Sequence, residues 1–132
     1  MTARIERPLS PHLQTYRVTL TMALSIIHRI TGMALYFGTL LLAWWLIAAA
    51  SGPGAYANVQ AFTGSIIGKL IVFGYTWALL HHLCSGIRYF FWDLGYGFKA
   101  NEREALTWGA LIAGISLTVL VWIIAYTVGG GR

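Results

Sequence analysis

Hydrophobic residues occur along this chain in three long blocks. Residues 30–50, 70–87 and 105–128 contain no Asp, Glu, Lys or Arg. Each block is close to the roughly 20 residues that a helix needs to cross the hydrocarbon core of a bilayer. None shows strand-like alternation, and a backbone in lipid must satisfy its own hydrogen bonds, so helices are expected. The pattern predicts an all-α membrane protein whose three transmembrane helices cover the following approximate ranges: 20–50, 62–92 and 105–128.

Helix-breaking residues mark the segments outside these helices. Residues 1–19 are predicted to form an extended lead segment at the inner face, because Pro8 and Pro11 disfavour helix there. Ser51-Gly-Pro-Gly54 predicts a short loop after the first helix. Residues 20–128 are expected to form one transmembrane domain, and residues 129–132 a C-terminal tail.

Composition and charge agree with a membrane protein. The chain is 58% hydrophobic and only 10% charged, which is not the mixture of a soluble domain. Its net charge is +5, but the basic residues are sorted by membrane side. They precede the first helix and follow the second at these positions: Arg4, Arg7, Arg17, Lys99 and Arg103. The positive-inside rule therefore predicts an N-terminus inside and a C-terminus outside, and the charge requires no nucleic acid as a partner.

The first helix carries polar residues on one face. Ser25, His28, Arg29 and Gly32 stand at positions i, i+3, i+4 and i+7. Ionisable groups in a span usually face a bundle interior, a cavity or a cofactor. The alternative for Arg29 is that it extends to the inner headgroups, since it lies near that end of the helix.

Two histidines lie deeper in the membrane, on the second helix. At about 1.5 Å per residue, His82 is about 16 Å from Asp93 and thus near the middle of the bilayer. An imidazole there either forms an interhelical hydrogen bond or is an axial ligand of a haem. His82 is favoured over His81 as the ligand, because Gly86 one turn away leaves a gap for a flat ring.

A haem would require further partners. Its propionates need cations near the inner end of the helices, and Arg29, Arg88 and a protonated His28 are candidates. A low-spin haem also needs two axial ligands, and no other helix of this chain has a histidine at mid-membrane depth. Either the second ligand comes from a partner chain, or the protein binds no haem.

These motifs together resemble a known family. They are Arg7-Pro-Leu-Ser10-Pro-His12-Leu before the first helix, Ser25-Ile-x-His28-Arg29-x-Thr-Gly32 at its start, and His82-x-x-x-Gly86-Ile-Arg88 followed by Trp92-Asp93 in the second. In this order, the motifs resemble the cytochrome b membrane subunit of succinate dehydrogenase, respiratory complex II, in its three-helix form.

The resemblance implies a membrane anchor in a heteromeric helix bundle. With a second hydrophobic anchor subunit, such a chain binds one haem b and holds the iron–sulfur and flavoprotein subunits on the inner face. Succinate is oxidised in the catalytic subunits, and ubiquinone is reduced beside the anchor. The expected location is the bacterial inner membrane, or the mitochondrial inner membrane in a eukaryote.

The resemblance also assigns residues to the haem. It implies that His82 is the axial ligand of the iron, and that His28 and Arg88 lie beside the propionates. The family often has a histidine directly after Gly-Ile-Arg, where this chain has Tyr89. A phenol in that place could still donate a hydrogen bond to a propionate.

For the quinone, the resemblance implies that Ser25 and Arg29 line the binding site. Their chemistry is suitable, because a guanidinium and a hydroxyl can stabilise the negative charge that builds on quinone carbonyl oxygens during reduction.

Two alternative functions remain open from the sequence alone. One is the anchor of a fumarate reductase, and the other is a non-redox scaffold or transport subunit whose polar residues form only interhelical contacts.

Overall fold

The computed structural model describes His12 and residues 17–129. Most of the expected lead segment, and all of the tail beyond residue 129, lie outside the described residues. The regular structure within them is helical throughout: α1 Leu20–Ser51, α2 Pro53–Gly64, α3 Ile66–Asp93 and α4 Ala100–Val128. Three of these helices, α1, α3 and α4, are long and apolar enough to cross a membrane. The prediction of an all-α membrane protein with three transmembrane helices is confirmed.

The connection between the first two spans differs from the expected loop, since it contains the helix α2. Gly52 has φ 115°, a backbone conformation that glycine adopts without strain, and it separates α2 from α1. Pro53 then occupies the first turn of α2, where its missing N–H costs no hydrogen bond. Gly52 therefore ends α1, and Pro53 starts α2.

Short helix α2 is held against the end of α1 by side-chain contacts. Val59 is fully buried. The ring of Phe62 lies edge-on to that of Trp44, with centroids 5.4 Å apart. At 12 residues, α2 is too short to span the membrane, so it lies at the bundle end where α1 finishes and α3 begins. This end is called the α2 end below.

Helix boundaries follow capping groups more closely than the limits of the hydrophobic blocks. Helix α3 begins at Ile66 because the side chain of Ser65 accepts a hydrogen bond from Gly68 N at 3.0 Å. Helix α4 begins at Ala100, before the expected residue 105. Its first turns contain Glu102 and Arg103, which are exposed. Charged residues can extend a helix beyond the hydrocarbon core, so hydrophobicity alone misses this part of α4.

Helix α3 contacts each of the other helices. Small residues permit the close approach: Gly38 of α1 lies against the ring of Tyr75, and Gly114 of α4 faces the backbone of His81. A Cβ at Gly114 would lie 3.0 Å from the Cα of His81. Such small-residue contacts are the usual way for transmembrane helices to pack closely.

We expect Gly114→Leu to destabilise the α3–α4 contact, because the added side chain meets backbone that cannot move without separating the helices. Overpacking of this kind costs about 1–3 kcal/mol. The thermal unfolding midpoint of the protein purified in mild detergent should therefore fall by several degrees. Gly109→Leu on the same helix is the matched control, because no neighbouring atom lies within 4 Å of a Cβ placed there. Equal losses for the two variants would contradict this packing.

Candidate functional site

A group of polar side chains lies toward the end of the bundle opposite α2. We call it the polar cluster and define it by these residues: Thr21, Ser25, His28 and Thr31 of α1, His82, Arg88 and Tyr89 of α3, and Thr107 of α4. The start of α1 and the end of α3 meet here because the two helices are antiparallel. Contacts within the polar cluster therefore join residues that are far apart in sequence.

The centre of the polar cluster is a contact between two imidazole rings. The rings of His28 and His82 are stacked, with centroids 3.9 Å apart and planes within 10° of parallel. Nδ1 of His82 lies 3.1 Å from the backbone oxygen of His28 and 3.1 Å from Oγ1 of Thr31. Gly32 permits this approach, since a Cβ there would lie 3.1 Å from Cε1 of His82.

These contacts determine which nitrogen of His82 carries the proton. A carbonyl oxygen only accepts, so Nδ1 donates to the oxygen of His28 and Nε2 keeps its lone pair. The hydroxyl of Thr31 donates to the same carbonyl at 2.9 Å. Nε2 has no hydrogen-bond partner in the part of the chain that the structure describes. A histidine whose Nδ1–H is held by a carbonyl presents Nε2 as a metal ligand.

Open space adjoins His82 at Gly86. No side chain or neighbouring backbone lies within 4 Å of a Cβ built at Gly86. Gly86 stands one turn beyond His82, on a similar side of α3. The gap that the sequence predicts at Gly86 is therefore present among the described residues.

His81 has a different environment from His82. It is fully buried between α3 and α4, where its backbone faces Gly114. Its ring stacks on that of Trp77, with centroids 5.2 Å apart, and its Nε2 lies 3.3 Å from Oγ of Ser85. These contacts enclose His81, whose Nδ1 is buried without a partner among the described residues. His82 differs from it because its ring is only half-buried and its Nε2 is unpaired within the described chain.

Arg88 is buried, with only 2% of its surface exposed. Its Nη1 donates to Oγ1 of Thr107 at 3.3 Å, and its Cζ lies 4.9 Å from the ring centroid of Trp92. Nε and Nη2 are buried without a partner among the described residues, as is Nδ1 of His28. A buried guanidinium is costly unless an anion pairs with it. These free donors suit an anionic group that the described chain does not supply.

A series of hydrogen bonds and contacts between hydroxyl groups connects α3 to α1, and α1 to α4. The hydroxyl of Tyr89 donates to Oγ of Ser25 at 3.0 Å, and Ser25 donates to the backbone oxygen of Thr21 at 3.0 Å. Oγ1 of Thr21 lies 3.4 Å from Oγ1 of Thr107. The Tyr89 hydroxyl therefore holds the oxygen of Ser25, whose own proton is directed at the Thr21 carbonyl.

Arg29 does not join the polar cluster. Its side chain is exposed on α1, whereas Ser25 and His28 are half-buried. The four-residue spacing puts Arg29 and Ser25 on neighbouring turns, but Arg29 lies further from α3. A ligand that contacts both residues would therefore lie at the surface of α1.

Sequence reasoning missed the threonines of the polar cluster. Thr31 and Thr107 are almost completely buried, at 2% and 1% exposure. Each donates to a carbonyl of its own helix and also contacts a side chain of another helix. The only available signal was position, because Thr31 stands three residues after His28 and shares its helix face.

Comparison with known proteins places the chain in a family. Residues 3–125 match the succinate dehydrogenase/fumarate reductase transmembrane subunit family. The succinate dehydrogenase cytochrome b556 subunit of Paracoccus denitrificans is 42% identical over 123 residues, which cover 93% of this chain and 95% of the relative.

Other relatives come from bacteria and from mitochondria. The cytochrome b556 subunit of Rickettsia felis is 40% identical over 118 residues, covering 89% of this chain and 92% of the relative. The mitochondrial cytochrome b560 subunit of Bos taurus is 36% identical over 121 residues, covering 88% and 68%. Both are named as subunits of succinate dehydrogenase, in agreement with the resemblance of the motifs. The chain is therefore an integral membrane protein that belongs to the succinate dehydrogenase/fumarate reductase transmembrane subunit family.

Proposed function

We propose that this protein is the haem b-binding membrane anchor subunit of a succinate dehydrogenase. With a second hydrophobic subunit, it tethers the iron–sulfur and flavoprotein subunits and helps electrons pass from the iron–sulfur subunit to ubiquinone. The main support is His82, whose Nε2 has no hydrogen-bond partner among the described residues, together with the open space at Gly86 one turn away on the same helix. The names of the relatives favour succinate dehydrogenase over the fumarate reductase alternative.

The residues present fit a haem b. The described residues include no group of three or more His, Cys, Asp or Glu that could hold a bare metal ion. A haem iron needs only one ligand from this chain, since the porphyrin holds it and the partner membrane subunit can supply the other ligand. When bound, haem b supplies one-electron redox chemistry.

The surrounding residues hold the ligand and its charge. The carbonyl of His28 and the hydroxyl of Thr31 keep the proton of His82 on Nδ1, which makes Nε2 a stronger ligand for iron. The stacked ring of His28 restricts the ring orientation of His82. The free nitrogens of Arg88 are donors of the kind that carboxylates such as propionates accept.

Ubiquinone is proposed to bind at the α1 surface near Ser25 and Arg29. Its reduction takes up two electrons and two protons, and negative charge builds on the carbonyl oxygens as the electrons arrive. Arg29 supplies a fixed positive charge to one oxygen, and the Ser25 hydroxyl can turn from the carbonyl of Thr21 to donate a hydrogen bond. The exposure of Arg29 suits a site that partner subunits complete.

Charge distribution supports an orientation for this site. Arg17, Lys99 and Arg103 lie at the end of the bundle nearer the polar cluster. By the positive-inside rule this end faces the cytoplasm or the mitochondrial matrix, and the C-terminus faces outward. The proposed quinone site is then on the side from which the iron–sulfur subunit delivers electrons.

We expect His82→Leu to remove the haem from the purified complex, because leucine has no nitrogen ligand. The measurement is the reduced-minus-oxidised b-type spectrum per mole of complex. His81→Gln is the matched control and should retain the spectrum, since the His81 ring is enclosed between α3 and α4. A normal spectrum in the His82 variant, with loss in the His81 variant, would move the ligand to His81.

Arg29→Leu should lower succinate:ubiquinone turnover by at least about tenfold, because loss of one charge-stabilising donor typically costs 10²–10³ in rate. Succinate oxidation with a water-soluble dye should persist, which shows that the catalytic subunits remain assembled. Arg103→Leu, an exposed arginine of α4, serves as the control. Unchanged ubiquinone turnover in the Arg29 variant would exclude this residue from the site.

Tyr89→Phe removes the hydroxyl that orients Ser25. The KM for ubiquinone should rise by a few-fold, since a hydrogen bond of this kind contributes about 0.5–1.5 kcal/mol. The haem spectrum should be unchanged. Thr127→Val, which removes an exposed hydroxyl near the end of α4, is the control. A shift in haem potential with no change in KM would instead place the Tyr89 hydroxyl at a propionate.

A further inference from the structure

A cavity lies near the α2 end of the bundle, away from the polar cluster. Its volume is about 720 Å³, within the range of about 300–1,000 Å³ that is common for sites of small ligands. Residues of α2, α3 and α4 line it, among them Gln60, Lys69, Val72, Trp122 and Ala125. Neither the proposed haem nor the proposed quinone uses these residues.

Lys69 provides the only charge in the lining of this cavity. The sequence contains no Asp or Glu from residue 20 to residue 92. The acidic residues of α3 and α4, Asp93, Glu102 and Glu104, lie at the opposite end of the bundle. Lys69 therefore has no carboxylate within reach in the described chain. An ammonium group at the membrane boundary without a counter-charge is complementary to a phosphate.

The helix that carries Lys69 adds to this preference. Lys69 stands near the start of α3, and the first turn of α3 contains no acidic residue. The partial positive charge of a helix N-terminus therefore acts together with the ammonium group. Both effects favour an anion at this end of the cavity.

The rest of the cavity is suited to hydrocarbon. Val72 of α3 and Val121 and Ala125 of α4 provide an apolar wall. The ring of Trp122 packs edge-on against that of Phe73, with centroids 5.2 Å apart, which holds it at the wall. Amphipathic rings of this kind lie at headgroup depth in membrane proteins. A cation beside an apolar wall at this depth matches a molecule with an anionic head and a long apolar chain.

We propose that this cavity binds one phospholipid, with its phosphate on Lys69 and an acyl chain along Val72, Val121 and Ala125. The site is separate from the proposed haem and quinone sites and requires neither of them. The bound lipid fills the space between α3 and α4 near α2, so it supports the packing of the third transmembrane helix.

Native mass spectrometry of the purified complex tests this proposal. After prolonged washing in mild detergent, the wild-type complex should retain one phospholipid for each copy of this chain. When phosphatidylglycerol is added back, Lys69→Gln should need about fivefold more lipid for half-saturation, because one cation near the surface contributes about that factor. Lys99→Gln is the control, since Lys99 is exposed and pairs with Glu102 at the opposite end.

A second variant tests the apolar wall. Ala125→Phe should also lower lipid retention by filling the acyl path, while the haem spectrum shows that the complex is intact. Equal lipid binding by wild type and Lys69→Gln would overturn the proposal. It would also be overturned if the retained molecule were ubiquinone, or if a photocrosslinker at Val72 captured a partner subunit in place of lipid.

Discussion

The stacked rings of His28 and His82 join α1 to α3 inside the bundle. Both groups are polar, and in a membrane they would be costly if they faced lipid. Their stacking and the bond from Nδ1 of His82 to the carbonyl of His28 satisfy part of this requirement. Gly32 allows the contact, and the polar cluster is arranged around it. The free Nε2 of His82 is a direct consequence, since the partner on Nδ1 determines the tautomer.

The interior of the described chain is more polar than its surface, as a membrane environment permits. Its buried apolar side chains are few and mostly small, whereas Arg88, His81 and four hydroxyl-bearing residues are also buried. Lipid tails are as apolar as leucine, so burial of leucine gives little association energy in a bilayer. Close packing at Gly38 and Gly114 and polar contacts between helices take its place. Nε and Nη2 of Arg88 have no partner among the described residues, so they are available to a further group.

The sequence predicted the three transmembrane helices, because the length of each hydrophobic block determines them. It could not predict α2, since a helix at the membrane boundary needs no long apolar run and its Gly and Pro residues are typical of loops. Helical periodicity put Arg29 on the same face as Ser25 and His28. Residues on one face can still differ in their distance from a neighbouring helix, and only the packed structure showed that Arg29 is exposed. The bond from Tyr89 to Ser25 depends on the register between α1 and α3, which no single-helix pattern contains.

The hydrogen bond from Tyr89 to Ser25 connects the proposed haem site with the proposed quinone site. The ring of Tyr89 lies 5.1 Å from that of His28, which stacks on His82, and the Tyr89 hydroxyl holds Ser25. Only two side chains, His28 and Tyr89, therefore separate the proposed haem ligand from the proposed quinone residue Ser25. Arg88 packs against the other side of the same tyrosine, with its Cζ 5.0 Å from the ring centroid. Because these groups are in contact, a change of charge at one proposed site would act on the other over a short distance. The close spacing thus follows from the register that Gly32 allows between α1 and α3.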